Sequence, residues 1–175
     1  MIRSLSIIFP VFNEELRLKS SFIHIKNFIK KQKKLKIEII FVDDGSKDNS
    51  YNLINKFIKN FKTKKKTKFK AIKSKINLGK GAALKLGVKN AKYDWILTAD
   101  IDMSVSLFQI CKWIEKKLIY KKYSVYFGTR SHKNSVVKRD FFRKILGDIG
   151  SFLISIIWIG SRPIVGSSRI RISGL

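Results

Sequence analysis

Two carboxylates, Asp100 and Asp102, stand one residue apart at the end of the apolar run Ile96-Leu-Thr-Ala. The chain holds 12 acidic residues against 38 basic ones, so a close acidic pair leaving a buried-looking strand calls for a cation. Alternate residues of a strand point the same way, and if that geometry persists through Asp102 the two side chains can share one hard divalent ion. Mg2+ or Mn2+ bound there would keep waters and accept diphosphate oxygens. The pair Asp43-Asp44 is different: neighbours on a strand face opposite sides, so one of them is better used as an acceptor for a nucleobase N–H.

Other groups supply cations and backbone donors. Asn77-Leu-Gly-Lys80-Gly-Ala departs from the P-loop pattern, because alanines stand where the Lys-Ser/Thr pair belongs. A Gly-Lys-Gly entering a helix still offers N–H groups and one ammonium to an anion. Arg130 follows Gly128-Thr129, while Arg139 and Arg143 are four apart and share a helical face, which makes all three candidate phosphate clamps. His24 and His132 have no second His or Cys at ligand spacing, and this argues against zinc. Cys111 lies in a helical pattern without an adjacent base and reads as a small apolar residue.

Positioning these groups requires a regular frame. Leu5–Val11 is a continuous apolar strand, and Asn13 is placed to cap a helix carrying Leu16, Leu18, Phe22, Ile25, Phe28 and Ile29. The unit repeats with a strand over Ile37–Val42, the turn Asp43-Asp44-Gly45-Ser46, and a helix capped by Asp48 or Asn49 whose apolar face is Leu53, Ile54, Phe57, Ile58 and Phe61. A third strand over Phe69–Ile72 leads to a helix ending near Ala91, and a fourth runs from Tyr93 to Ala99. A helix over Ser106–Tyr120, a strand over Ser124–Gly128 and an apolar helix over Phe141–Ile159 complete the pattern. Strands apolar on both faces alternating with amphipathic helices predict an α/β fold with a mostly parallel sheet and helices on both faces. Ligands of such sheets lie at the carboxyl ends of the strands, where Asn13-Glu14, Asp43–Ser46 and Asp100–Asp102 all fall.

Composition bounds the alternatives. At 175 residues with 45% apolar content, and no linker, one domain is expected. A single cysteine excludes an intramolecular disulfide framework, which suits a reducing compartment. The early strand leaves no room for a signal peptide, and the run Phe152–Gly160 is shorter than the roughly 20 residues that span a bilayer. A net charge of +26 attracts nucleic acid, anionic lipid and anionic substrates alike, and heavy use of Lys, Ile and Asn ascribes it to biased coding. Because no nucleic-acid motif is present and the lysines are not interleaved with aromatics, a nucleic-acid partner is not expected.

In order and spacing, Pro10–Glu15, Val42–Ser46, Asn77–Ala82, Asp100–Asp102 and Gly128–Arg130 resemble glycosyltransferase family 2, inverting enzymes with a GT-A fold. The resemblance covers about Leu5 to Ile159 and is strongest to dolichyl- and polyprenyl-phosphate sugar transferases, above all the β-glucosyltransferase branch. It implies a nucleotide-sugar donor, UDP-glucose, and a polyprenyl phosphate acceptor at a peripheral membrane surface, on the cytoplasmic side. Pro10, Phe12 and Glu14 then line the nucleoside pocket, Asp43 contacts the base and Asp44 lies near the ribose. Asn77, Gly79 and Lys80 lie beside nucleotide and sugar. Asp100 and Asp102 form the donor and metal motif, Asp102 and Arg130 carry catalysis, and Arg139 and Arg143 face the acceptor phosphate.

Three alternatives stand beside this reading: a nucleotidyltransferase, a basic nucleic-acid-binding module, and a truncated remnant that binds donor without turnover. A nucleotidyltransferase would need a glycine-rich basic loop after the first strand, which Pro10–Glu15 does not provide. The branch continues beyond a helix like Phe141–Ile159 with an Asp-Thr-Gln-Cys-Gly-Phe-Lys-like segment that is absent, and Ser161–Leu175 departs in style from the rest. The expected organisation is therefore a GT-A domain over 1–160, incomplete at its C-terminus, with an atypical tail over 161–175. Such a truncated chain could bind donor without transferring sugar.

Overall fold

The structure is a computed structural model that describes residues 2–32, 35–62 and 67–116. Within them the order is β1 (Ser4–Val11), α1 (Glu15–Lys31), β2 (Lys36–Asp43), α2 (Ser50–Asn60), β3 (Lys68–Lys73), α3 (Lys80–Lys89), β4 (Ile96–Thr98) and α4 (Phe108–Glu115). The strand and helix expected at Ser124–Gly128 and Phe141–Ile159 lie outside the described residues, as do Arg130, His132, Arg139, Arg143 and the tail 161–175.

Among the described residues all strand pairs are parallel, in the order β3-β2-β1-β4. The central strands are buried on both faces, and period-two alternation sorts their side chains. Leu5, Ile7, Phe9 and Val11 of β1 join Ile37, Ile39 and Phe41 of β2 beneath α1 and α2. Ile8, Ile40 and Val42 face the other way and pack on Ala83 of α3. Helix α3 sits close because Gly87 has no side chain: a methyl there would overlap Ile8 Cγ2. An aromatic cluster fills the first layer, with Phe9 stacked on Phe41 at 5.6 Å between centroids and Phe22 on Phe57 at 4.1 Å.

Three expectations need correction. Leu16 is 96% exposed, because the buried face of α1 runs through Leu18, Ser21, Ile25, Phe28 and Ile29 instead. The fourth strand is only three residues long, pairs with β1 alone and forms the sheet edge among the described residues. Asn13 does not cap α1: its φ of 53° turns the chain, and its side chain accepts the Lys47 N–H at 2.8 Å.

The first turn of α1 is capped from the second unit. Glu15 N–H donates to Asp48 Oδ2 at 3.0 Å and Glu14 N–H to Ser50 Oγ at 2.9 Å. Glu15 Oε2 in return accepts the Asn49 N–H at 3.1 Å, at the start of α2. Two helix N-termini thus satisfy one another's orphan donors.

Candidate active site

Each strand end contributes one wall. At the end of β2, Asp43 is fully buried; its Oδ1 accepts the Ser46 N–H at 3.0 Å, while Oδ2 has no hydrogen-bond partner. Asp44 is 2% exposed and reaches the opposite way, accepting the N–H groups of Leu78 at 3.1 Å and Gly79 at 2.7 Å. It therefore clamps the segment that leads into α3. Directly after Asp44, Gly45 has φ 73°, and a Cβ there would lie 2.6 Å from the Ile76 carbonyl carbon and 2.7 Å from the Asn77 nitrogen. Only glycine lets these two loops meet.

At the start of α3, Gly79 has φ 89° and its N–H also donates to Asn77 Oδ1 at 2.9 Å. Lys80, the first residue of the helix, extends to Asp100, with Nζ 2.6 Å from Oδ1. The strand geometry does not persist to Asp102, contrary to expectation. A turn follows β4, Met103 takes φ 55°, and Asp102 Oδ1 accepts the Ser104 N–H at 2.9 Å. What holds this turn is Ile101, whose side chain is buried in the core and whose carbonyl accepts a hydrogen bond from the buried Ser21 hydroxyl of α1.

Pro10, Phe12, Glu14, Asp44, Asn77, Gly79, Lys80, Asp100 and Asp102 line one cavity of about 380 Å³, together with Val11, Ala83 and Ile101. Asp43 lies outside this lining, beneath the turn. A second cavity of about 490 Å³ shares Phe12 and Asn77 and adds Gly45, Ser46, Lys47, Lys73, Lys75 and Ile76. Spacing gives no sign of the role of Ser21, nor of the reach of Ser46 and Asp48 back to the start of α1. Their partners lie 33 to 80 residues away, and only the fold brings them into reach.

The cavity inverts the charge of the chain. Among the described residues it is lined by four carboxylates and a single ammonium, Lys80. Glu14 is taken by Arg17, at 2.9 Å, and Asp44 by backbone N–H groups. Asp100, paired with Lys80, and Asp102, which accepts the Ser104 N–H, present carboxylates to the cavity from one turn. No cluster of three or more His, Cys, Asp or Glu side chains is assembled among the described residues. Two carboxylates alone suit an ion that completes its shell with water and substrate phosphate, as Mg2+ does. Cys111, half-buried on α4, has its thiol pushed up by burial and by the Glu115 carboxylate, so it stays protonated and is a poor nucleophile.

Comparison with known proteins agrees with this geometry. The dolichyl-phosphate beta-glucosyltransferase of Dictyostelium discoideum is 33% identical over 81% of the chain, and that of Homo sapiens is 30% identical over 82%. The matches cover 45% and 47% of those proteins, so the chain spans about half the length of the curated relatives. Among solved structures, S. aureus TarS (residues 1–349) in complex with UDP superposes with a TM-score of 0.51 at 21% identity, over 65% of this chain and 32% of that one. The mannosyltransferase PcManGT from Pyrobaculum calidifontis, in complex with GDP-Man and Mn2+, gives 0.50 at 17% identity, over 58% and 28%. At these identities the likeness is one of fold, and the fold is GT-A. The profile described as Glycosyl transferase family 2 matches residues 6–160, and the chain belongs to that family.

Proposed function

We propose that the protein is an inverting glycosyltransferase that moves glucose from UDP-glucose to a dolichyl or polyprenyl phosphate, working peripherally at the cytoplasmic face of a membrane. One observation carries the proposal: in a chain of net charge +26, the motifs at the carboxyl ends of three strands gather four carboxylates and Lys80 around one cavity. The names of the relatives in Dictyostelium discoideum and Homo sapiens support the glucose and the dolichyl phosphate.

The residues divide the work. Asp43 is assigned to the base by its place in the motif order; its Oδ2 is buried with no partner outside the cavity lining, so a hydrogen bond from a uracil N–H requires the covering turn to move. Phe12, 42% exposed, and Pro10 offer apolar surface to the nucleoside. Asn77 and Gly79 position the nucleotide and the sugar. Asp100 and Asp102 would hold Mg2+ or Mn2+, which when bound neutralises charge on the departing diphosphate. Arg130 is assigned to the diphosphate by its place in the motif order, and Arg139 and Arg143, basic residues beside the apolar run that ends at Ile159, to the acceptor phosphate. An acceptor phosphate monoester is ionised near neutral pH, so it attacks the anomeric carbon without a strong general base. Orientation and charge stabilisation then supply most of the rate.

Calorimetric titration of the chain with UDP, UDP-glucose and GDP-mannose, with and without Mn2+, tests donor binding. Mn2+-dependent binding of UDP and UDP-glucose, lost in Asp102→Ala, is expected. Equal, salt-sensitive binding of every polyanion would refute it. Transfer is tested by incubation with UDP-[14C]glucose and dolichyl phosphate and recovery of glucosyl lipid.

A further inference from the structure

We propose that Lys80 serves as a built-in counter-ion for Asp100, which it must release before a divalent cation binds, so that cation and nucleotide binding are coupled through this one side chain. The inference rests on the reading of the cavity as a cation and nucleotide site. Its basis is the 2.6 Å contact between Lys80 Nζ and Asp100 Oδ1, with the two side chains 61% and 52% exposed.

The backbone of Lys80 is fixed while its side chain is not. Gly79, immediately before it, is held by Asp44, and Lys80 opens α3. An ammonium at a helix N-terminus is disfavoured by the helix dipole, so Lys80 gains from a nearby anion. In the cavity Glu14 pairs with Arg17, Asp44 with backbone N–H groups and Asp102 with the Ser104 N–H, while Lys80 pairs with Asp100. A flexible four-carbon stem can exchange that partner for another within the same cavity.

A divalent cation and an ammonium repel one another and cannot both sit against one oxygen of Asp100. Binding of the cation alone therefore strands Lys80 in water beside the positive end of α3. A diphosphate in the cavity gives the released ammonium an anion to meet. Cation and nucleotide each make room for the other, and linkage requires the effect to be reciprocal.

Removing the charge should move the two separate affinities in opposite directions. Lys80→Met keeps the stem and loses the ammonium. Its affinity for Mn2+ alone, read from the free-ion electron paramagnetic resonance signal, is expected to rise about two- to fivefold, the range for a partly exposed ion pair. Its affinity for UDP at saturating Mn2+ should fall, whereas Lys80→Arg should keep both near wild type. Unchanged or weaker binding of Mn2+ alone in Lys80→Met, with Asp100→Asn weakening it as a control, would overturn the inference and leave Lys80 as a positioning residue. If wild type takes up no Mn2+ even with UDP present, the reading of the site itself fails, and the two failures are told apart by that arm.

Discussion

Alanine at Gly45 and alanine at Gly79 make a controlled pair, because both glycines have positive φ, 73° and 89°, and only one is crowded. At Gly79 nothing lies within 4 Å of a new Cβ, so the change stores backbone strain alone, about 1–3 kcal/mol. At Gly45 the Cβ meets the Ile76 carbonyl carbon at 2.6 Å and the Asn77 nitrogen at 2.7 Å. These are backbone atoms and cannot rotate aside, so the 76–79 segment must retreat by roughly 1 Å to reach an ordinary contact. That retreat pulls Leu78 and Gly79 away from Asp44, whose bonds to them measure 3.1 and 2.7 Å. A hydrogen bond to a charged group contributes about 1.5–3 kcal/mol, and the left-handed backbone costs alanine about 1–2 kcal/mol more. The expected loss for Gly45→Ala is about 4 kcal/mol against about 2 kcal/mol for Gly79→Ala. With a urea slope of about 2 kcal/mol per molar, the midpoint falls by about 2 M and about 1 M respectively. Equal shifts, or a larger one at Gly79, would show that the two loops are not in the contact described.

Three further outcomes are expected. Ser21→Ala leaves the Ile101 carbonyl buried without its donor; stability falls by about 1–2 kcal/mol in urea unfolding, and Mn2+-dependent UDP binding weakens several-fold because the acidic turn loses its tether. Glu38→Ala, at the far end of β2, removes the acceptor for Ser6 Oγ and Lys92 N–H, each at 2.7 Å, and should lower stability by about 2–4 kcal/mol with no change in UDP affinity by calorimetry. Burial pushes the Asp48 carboxyl up, but hydrogen bonds from the Ser50 hydroxyl and from the Ser50 and Glu15 N–H groups outweigh it and hold the pKa below its ordinary 3.8. Its stabilising contribution is thus complete above about pH 4 and lost as pH falls through the lowered folded value, so acid unfolding monitored by circular dichroism should be flatter in that window for Asp48→Asn.

Much of the frame is legible from residue type alone. The run Leu5–Val11 and the cluster Asp43-Asp44-Gly45-Ser46 announce a buried strand and a sheet exit, and both are found within a residue of expectation. The walls of the cavity follow, since topology sends every strand end to one side. Less legible is whatever depends on a partner distant in sequence. Asn13 has the chemistry of a cap, yet the donors of α1 go to Asp48 and Ser50, and nothing local separates these choices. The assumption that β4 runs straight through Asp102 fails because Ile101 turns inward to the core, which exposes Asp100 to Lys80 across the cavity. Leu16 fits the helical period but overhangs its edge, where α1 leaves the sheet.

The exchange of caps between α1 and α2 has a dynamic meaning. Asn13, Glu14 and Glu15 are stitched to Ser46, Asp48 and Ser50, and Asn49 returns a bond to Glu15, across a sequence gap of 33 to 36 residues. Neither loop can fray without exposing the other's helix end, so the two open as one cooperative unit. Two sides of the cavity therefore keep a fixed spacing whatever the chain does elsewhere. Adjustment to a guest falls to the remaining side, where Lys80 and the Asp100–Asp102 turn meet through a single exposed ion pair.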